Sequence, residues 1–311
     1  MIKLGVACPQ QPLGKDHDAL QHFFRGVEGM GYAYLRLSDH VLGADRASRP
    51  DWRPYFGQTP LYDHTNPFHE PFVVFGLLIG LTKTIELSTG VLASTQRQTA
   101  LLAKQAAEVD FLSGGRLRLI NGTGWNDVEY EALGMDFHAR GQIMDEQTEL
   151  LRLLWTQELV TFHGKFHTIT AAGINPMPVQ RPIPIWFGGV SEPVLRRTGR
   201  MGDGWFPSYP YFNQSVIKDH IERIRRYASE AGRDGAAIGI QGMVYFHDTR
   251  FEMPPGAELP PKTLDEFVAY AHKWKELGAT HLLVATPWAE QDVDSQLKAL
   301  RGVKEALGPL F

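Results

Sequence analysis

Asp39 and His40 are the residues of this chain best suited to acid–base chemistry. They follow an apolar segment, residues 32–37, that predicts a strand, and side chains just past a strand end can reach a bound ligand. Imidazole titrates near neutral pH, so His40 can donate or accept a proton during a reaction. The alternative is an Asx turn that carries a solvated imidazole.

His69 and Glu70 precede an apolar segment at residues 71–81, where Pro71 can occupy the first position of a helix. We expect Glu70 to stabilise the positive N-terminus of that helix rather than to act as a base. His69 is a candidate for the substrate pocket and, after His40, the second candidate catalytic residue.

Gly90 and Val91 interrupt a predicted strand that begins at Ile85. A glycine inside a strand indicates a bulge or a close approach of the backbone to a ligand, and ordinary strand packing is the alternative. Gly122 and Thr123 follow the end of a later predicted strand, a position where α/β folds place ligand loops.

Trp125 lies beside that loop, and a large aromatic residue at a strand end can form the wall of a site for a planar ring. Asn126 and Glu129 have the spacing of an N-cap residue and the glutamate of a capping box. This spacing predicts that both residues cap a helix and have a structural function.

Gly188, Gly189, Val190 and Ser191 connect a predicted strand to a predicted helix. Backbone N–H groups and the helix dipole at such a junction can bind a phosphate group. The alternative is a tight turn with Ser191 as the N-cap.

Strand and helix patterns alternate about eight times and would position these residues. Apolar runs at residues 2–7, 183–187, 238–246 and 281–285 predict strands, and helical spacing predicts helices at 140–155, 192–201 and 216–231. This order favours a (β/α)8 TIM barrel over residues 1–311, a single domain with insertions on its upper face at 43–70, 156–181 and 248–261. An open doubly wound sheet is less favoured, because residues 7–11 lack the glycines of a dinucleotide-binding turn.

A formal net charge of −4 gives no electrostatic reason to expect nucleic acid or an anionic membrane as a partner. The segment 71–81 is too short to span a bilayer, and the first residues lead into a strand rather than an export signal, so we expect a cytoplasmic protein. The chain has one cysteine and neither a CxxC nor an HExxH motif, so we expect no metal site.

Several motifs, in their order and spacing, resemble the bacterial luciferase-like superfamily over nearly the whole chain: DHV at 39–41, TGVL at 89–92, LSGGRL at 112–117, GTGWN at 122–126, GG at 188–189 and GDGW at 202–205. The segments NPFHEPF at 66–72 and RQTALLAKQAAEVDFLSGGRLRL at 97–119 are most similar to the subgroup that depends on the deazaflavin coenzyme F420. The resemblance implies a (β/α)8 barrel with a flavin or deazaflavin across the carboxyl ends of its strands.

The resemblance also implies roles for individual residues. It places Asp39 and His40 near the edge of the cofactor ring and a non-proline cis peptide bond between Gly90 and Val91. Trp125 aligns with a position where some F420-dependent dehydrogenases carry an acidic proton donor. The cofactor-binding set is Asp39, Gly90, Val91, Gly122, Thr123, Trp125, Gly188, Gly189, Val190 and Ser191.

The function predicted first is hydride transfer between F420 and a small organic molecule. The alternatives are a monooxygenase that uses reduced FMN and a barrel that binds a flavin without turnover. An apolar or aromatic substrate is expected if the following aromatic residues face the pocket: Phe56, Tyr62, Phe68, Trp125, Trp186 and Tyr209.

Two further predictions concern surfaces and partners. Residues 43–66 lack helical or alternating periodicity and are expected to form a lid. The resemblance suggests a homodimer that pairs through the helix at 71–81, with barrel-wall packing as the alternative for its apolar residues, and a separate flavin or F420 reductase as a partner.

Overall fold

The computed structural model describes residues 2–54, 62–208, 213–246, 258–286 and 292–308. The strands are β1 Lys3–Ala7, β2 Tyr34–Leu37, β3 Glu86–Thr89, β4 Leu92–Ala93, β5 Leu117–Gly122, β6 Val160–His163, β7 Thr168–Ala172, β8 Ile185–Gly188, β9 Gly204–Phe206, β10 Gly239–Tyr245 and β11 His281–Ala285. The helices are α1 Gln10–Leu13, α2 His17–Gly29, α3 Pro71–Leu81, α4 Thr99–Ser113, α5 Asp127–Ala132, α6 Arg140–Thr156, α7 Glu192–Met201, α8 Gln214–Glu230, α9 Leu264–Glu276 and α10 Val293–Leu307.

The fold is the predicted (β/α)8 TIM barrel. Within the described residues, β3 and β4 are two pieces of one barrel strand that Gly90 and Val91 interrupt. The other seven barrel strands are β1, β2, β5, β8, β9, β10 and β11. The single-domain organisation remains a prediction, because the chain divides into two compact units.

The first unit consists of Met1–Leu37, Leu81–Ser88 and Trp186–Phe311. Its strands follow the order β3-β2-β1-β11-β10-β9-β8, and the ladders of β1 with β2 and β11, of β10 with β9 and β11, and of β8 with β9 are parallel. Strands that are parallel neighbours need helical crossovers, which explains the alternation of elements in the sequence.

Helix α2 illustrates how the sequence specifies these crossovers. Asp16 caps it, because its side chain accepts hydrogen bonds from the N–H groups of Asp18 and Ala19 at 3.0 Å each. Its buried side chains, Leu20, Phe23, Phe24 and Val27, have the spacing of one helix face. Burial of each is worth about 1.5–3 kcal/mol, and Phe23→Ala would cost about 3–5 kcal/mol.

Trp186 lies in the core of the first unit, at the start of β8, and is 5% exposed. A Cβ atom added at Gly204 or Gly239 would overlap its indole, so the two glycines provide the space that the ring occupies. The ring also contacts His281, with 4.8 Å between the ring centroids. Trp186 is therefore a packing residue, which corrects the expectation that it faces a substrate pocket.

The second unit consists of Ser38–Gly80 and Thr89–Ile185. It contains β4 paired with β5 in parallel and the antiparallel hairpin β6–β7, which lies within the predicted insertion at 156–181. Glu146 of α6 holds the hairpin turn by accepting hydrogen bonds from the N–H groups of Lys165, Phe166 and His167 at 2.7–2.8 Å. A side chain at Gly164 would overlap the Glu146 carboxylate, so the turn requires glycine there.

No helix in the described ranges is both long enough and apolar enough to cross a lipid bilayer.

Candidate active site

The predicted site residues fall into both units. Asp39, His40, His69 and the residues around Gly90 and Gly122 belong to the second unit, whereas Gly188–Ser191 belongs to the first. Phe56 and Tyr209 lie outside the described residues.

His40 lies among aromatic side chains of the second unit. Its ring centroid is 4.2 Å from that of Tyr62, 4.8 Å from Phe68 and 5.5 Å from Trp125. Trp125 also contacts Tyr62 at 5.4 Å and Trp52 at 6.1 Å. We call His40, Tyr62, Phe68 and Trp125 the aromatic cluster. It brings together residues that the sequence suggested separately as chemical and pocket residues.

The polar contacts of His40 converge on one ring nitrogen. Its Nδ1 lies 2.7 Å from the Tyr62 hydroxyl and 3.2 Å from Oε1 of Glu129. Asn126 Nδ2 donates to the same Tyr62 hydroxyl at 3.0 Å. No residue in the described part of the chain hydrogen-bonds to Nε2 of His40, whose side chain is 19% exposed.

Glu129 is the residue near His40 whose contacts differ from the sequence prediction. Its side chain is 1% exposed, and Oε1 accepts from the Val41 N–H at 2.9 Å while Oε2 accepts from Gln96 Nε2 at 2.9 Å. Asn126 does cap α5, because its side chain accepts from the Val128 N–H at 3.1 Å. The capping prediction is therefore right for Asn126 and wrong for Glu129, whose carboxylate reaches His40 instead.

Tyr62 remains a phenol rather than a phenolate near neutral pH. Burial raises its pKa well above the ordinary value of 10, and the negative charge of Glu129 raises it further. Its hydroxyl can therefore both donate and accept a hydrogen bond.

Asp39 points into the protein. Its Oδ1 accepts from Arg97 at 2.8 Å and its Oδ2 from the Ala93 N–H at 3.0 Å. Burial raises the pKa of Asp39, and the guanidinium of Arg97 opposes this rise. Both carboxylate oxygens of Asp39 thus hold groups of the protein, Arg97 and the backbone N–H of Ala93 in β4, and the cofactor-binding role of Asp39 stays a prediction.

Glu70 has the predicted position at the helix N-terminus. Its Oε2 accepts from the Val73 N–H at 2.8 Å, in the first turn of α3, and its Oε1 accepts from Arg97 at 2.8 Å. Burial lowers the pKa of Arg97, but Asp39 and Glu70 together outweigh burial and raise it. His69 is half-buried between Phe68 and Glu70, and its function stays a prediction.

The strand break at Gly90 has the predicted conformation, because the Gly90–Val91 peptide bond is cis. Val91 contacts the neighbouring strand where Gly122 lies, and a Cβ atom at Gly122 would come within 2.7 Å of the Val91 side chain. Thr123 is fixed through its carbonyl oxygen, which accepts from the Tyr130 hydroxyl at 2.5 Å.

Asn121 precedes this loop and was missed by sequence reasoning. It is 1% exposed, and neither its carbonyl oxygen nor its amide nitrogen has a hydrogen-bond partner within the described ranges. A buried polar atom without a partner costs about 1–3 kcal/mol. The place of Asn121 at the end of a strand was a usable signal, since side chains at such strand ends can reach a bound ligand.

In the first unit, part of the backbone of the turn Gly188–Ser191 already makes hydrogen bonds within the protein. The Gly189 N–H donates to the Phe206 carbonyl at 2.9 Å, and Trp205 Nε1 donates to the Gly189 carbonyl at 2.8 Å. Gly189 has φ of +124°, a conformation that favours glycine. Ser191 is the N-cap of α7, but its side chain makes no capping hydrogen bond.

The charges near this turn pair with one another. Glu192, at the first position of α7, forms an ion pair with Arg223 and a hydrogen bond with the Tyr227 hydroxyl. Arg196 lies 3.9 Å from Glu192. Arg197 is buried and stands 5.8 Å from the ring centroid of Phe187.

The chain belongs to the luciferase-like monooxygenase family, whose sequence profile matches residues 11–300. A relative from Mycobacterium tuberculosis, the uncharacterized protein Rv0940c, is 36% identical over 210 residues, which are 67% of this chain and 71% of the relative. The FMNH(2)-dependent dimethylsulfone monooxygenase of Pseudomonas putida is 28% identical over 247 residues, 77% of this chain and 66% of that protein.

Two solved structures have the same fold. An F420-dependent secondary alcohol dehydrogenase, in complex with an F420–acetone adduct, matches with a TM-score of 0.77 at 17% identity over 99% of both chains. The EDTA monooxygenase EmoA of Chelativorans sp. BNC1 matches with a TM-score of 0.74 at 14% identity over 99% of this chain and 94% of that one.

Proposed function

We propose that the protein is an oxidoreductase that uses coenzyme F420 for hydride transfer to or from a small, apolar or aromatic organic molecule. The observation that carries the proposal is His40, which is partly exposed within the aromatic cluster and has Nε2 uncommitted to any described residue. His40 gives or takes the proton that accompanies redox chemistry, or orients the substrate, at this nitrogen.

The residues of the second unit fit a flat heteroaromatic cofactor. Trp125 and Phe68 offer apolar ring faces, and the buried amide of Asn121 offers a donor and an acceptor without a described partner. When bound, the cofactor supplies the hydride or, for a reduced flavin, the reactivity toward oxygen. Because Trp125 carries no titratable group, proton transfer in this unit is assigned to His40.

The choice between F420 and FMN rests on different kinds of similarity. The segments at 66–72 and 97–119, which are most similar to the F420-dependent subgroup, support F420. The monooxygenase alternative has its own support, because the FMNH(2)-dependent relative is 28% identical in sequence. Either cofactor in its reduced form would be supplied by a separate reductase.

Titration of the protein with F420 and with FMN, followed by quenching of cofactor fluorescence, tests this choice. We expect F420 to bind with a dissociation constant of about 10 µM or tighter. FMN binding in that range without detectable F420 binding would overturn the first choice and favour the monooxygenase.

Turnover tests the assignment of His40. With a panel of aliphatic and aromatic alcohols and ketones, His40→Ala should lower turnover by about 10²-fold or more while cofactor affinity changes little. The matched control is His138→Ala, an exposed histidine of the same unit. Equal turnover in wild type and His40→Ala would remove His40 from the chemistry.

For the phosphate of the cofactor, we propose binding at Gly188, Gly189, Val190 and Ser191. The support is local: the Ser191 hydroxyl makes no capping bond, and a helix begins directly after it. Ser191→Ala should weaken binding of FMN or F420 but not of riboflavin or the deazaflavin lacking its phosphate. Equal weakening with and without the phosphate would contradict this assignment.

A homodimer through α3 is proposed because this helix has an exposed apolar face. Val73 is 73% and Leu77 42% exposed, and a Cβ atom at Gly76 or Gly80 would meet no atom within 4 Å. Light scattering should give twice the chain mass for the wild type and a smaller mass for Leu77→Glu. A monomeric wild type would leave barrel-wall packing as the explanation of this segment.

A further inference from the structure

We infer that Glu129 and Tyr62 are positioning residues that keep a hydrogen on Nδ1 of His40, so that Nε2 is the nitrogen offered to a reactant. The effect on turnover rests on the proposed function. The tautomer of His40 does not, because it is a property of the protein alone.

The environment of Glu129 identifies it as an acceptor. Its Oε1 receives the Val41 N–H at 2.9 Å, and its Oε2 receives the amide of Gln96 at 2.9 Å. His40 Nδ1, at 3.2 Å from Oε1, is the remaining close polar atom of the aromatic cluster. With a hydrogen on Nδ1 this contact is a hydrogen bond, whereas without it two lone pairs would face each other in a buried place.

Tyr62 is compatible with this arrangement and restrains the ring. Its hydroxyl oxygen lies 2.7 Å from Nδ1 and accepts from Asn126 Nδ2 at 3.0 Å. Because a phenol oxygen has two lone pairs, it can accept from Nδ1 and from Asn126 together. Phe68 meets the imidazole edge to face at 4.8 Å, which further limits rotation of the ring.

The chemical consequence is a fixed place for the transferable proton. Neutral His40 with Nδ1–H can take a proton only at Nε2, and protonated His40 returns that same proton from Nε2. The Nδ1 hydrogen stays with Glu129 and Tyr62 in both directions. A histidine in the wrong tautomer transfers protons far more slowly, even when its ring stays in place.

The test is ¹⁵N NMR of histidine-labelled protein at a pH where His40 is neutral, with His40→Gln to assign its signals. We expect the wild type to show a protonated Nδ1 and an unprotonated Nε2. In Glu129→Met, Tyr62 can donate its own hydrogen to Nδ1, so the population should shift toward the Nε2–H form. A wild-type His40 in the Nε2–H form would overturn the inference, even if Glu129→Met failed to fold.

Two variants separate positioning from general stability. Glu129→Gln keeps an oxygen that can face Nδ1 if Gln96 turns its amide, so it should retain the wild-type tautomer. The matched control is Glu146→Met, because His167 Nδ1 lies 2.7 Å from Glu146 in the same unit. That variant should alter the signals of His167 and leave those of His40 unchanged; an equal change at His40 would show a non-specific effect and contradict the inference.

Measurements of turnover then distinguish failure of the positioning by Glu129 from failure of the proposed role of His40. Glu129→Met should lower kcat at least about tenfold, with cofactor affinity within about threefold of wild type, and Glu129→Gln should recover most of the loss. If the tautomer shifts but turnover is unchanged in both Glu129→Met and His40→Ala, the proposed role of His40 fails and the positioning by Glu129 stands. If His40→Ala loses turnover but Glu129→Met keeps the wild-type tautomer, the positioning fails instead.

Discussion

Replacement of Arg97 by methionine should destabilise the protein in a pH-dependent manner. Arg97 is 15% exposed and donates to Asp39, which is 2% exposed, and to Glu70, which is 39% exposed. Methionine retains an apolar stem of similar length against Phe72, whose ring centroid lies 5.6 Å from the guanidinium. The substitution therefore removes mainly the charge and the two hydrogen bonds.

The expected cost follows from the burial of Asp39. Loss of one member of a buried ion pair costs about 3–5 kcal/mol, and the partly exposed position of Arg97 favours the lower end. At about 2 °C per kcal/mol for a chain of this length, Arg97→Met should lower the melting temperature by about 6 °C at neutral pH. The matched control is Arg46→Met, since Arg46 is 43% exposed in its ion pair with Asp63 and should cost under about 1 kcal/mol.

The sign of the pH dependence comes from the raised pKa of Asp39. The ordinary pKa of an aspartate is 3.8, and burial raises the pKa of Asp39 above it. Loss of Arg97 removes the largest influence that opposes this rise. Between the ordinary pKa and the raised pKa, the folded variant holds a proton that the unfolded chain has released. The stability of the variant therefore falls as the pH rises through this range. The deficit against wild type should be smaller at pH 5 than at pH 8.

Scanning fluorimetry and calorimetry of wild type, Arg97→Met and Arg46→Met at both pH values would measure these differences. A melting temperature for Arg97→Met equal to that of Arg46→Met would refute the argument from burial. A deficit that is the same at pH 5 and pH 8 would refute the assignment to the Asp39 carboxylate.

Three further predictions concern the second unit. Gly122→Ala should destabilise the fold, because its Cβ atom would lie 2.7 Å from Val91; urea unfolding at wild-type stability would contradict this. Asn121→Leu should leave the protein without cofactor as stable or more stable by roughly 1–3 kcal/mol but weaken cofactor binding, and unchanged affinity would argue that Asn121 meets only water. Trp52 Nε1 donates to Asp127 at 2.9 Å, so Trp52→Phe should increase hydrogen exchange in residues 43–54. If this segment acts as a lid, bound cofactor should protect it from exchange. Equal exchange with and without cofactor would exclude that gating.

The regular elements were predictable because their signals are local. Helix α7, Glu192–Met201, was predicted with both of its ends, since Ser191, a proline in the first turn and Gly202 mark them in the sequence. Strand β11, His281–Ala285, was likewise predicted with both ends from its apolar run. The strand break at Gly90 was signalled by a glycine within a strand, and its cis bond by the family resemblance.

The site was less predictable because its contacts are distant in sequence. Glu129 lies 89 residues from His40, and the local spacing from Asn126 indicated a capping box that tertiary contacts override. The anchoring of Asp39 by Arg97 spans 58 residues and has no local signal. Sequence reasoning therefore proposed His40 as a chemical group but did not predict its contact with Glu129.

Trp186 occupies the space that side chains at Gly204 and Gly239 would need, and this packing has an evolutionary consequence. The indole fills the space above two glycines on neighbouring strands, so no single substitution at either glycine is neutral while the tryptophan remains. A lineage that replaces Trp186 by a smaller residue opens a cavity, and side chains at the two glycines could then fill it. These three positions are therefore expected to change together among descendants of this chain, and a homologue with a small residue at position 186 should carry larger residues at 204 or 239.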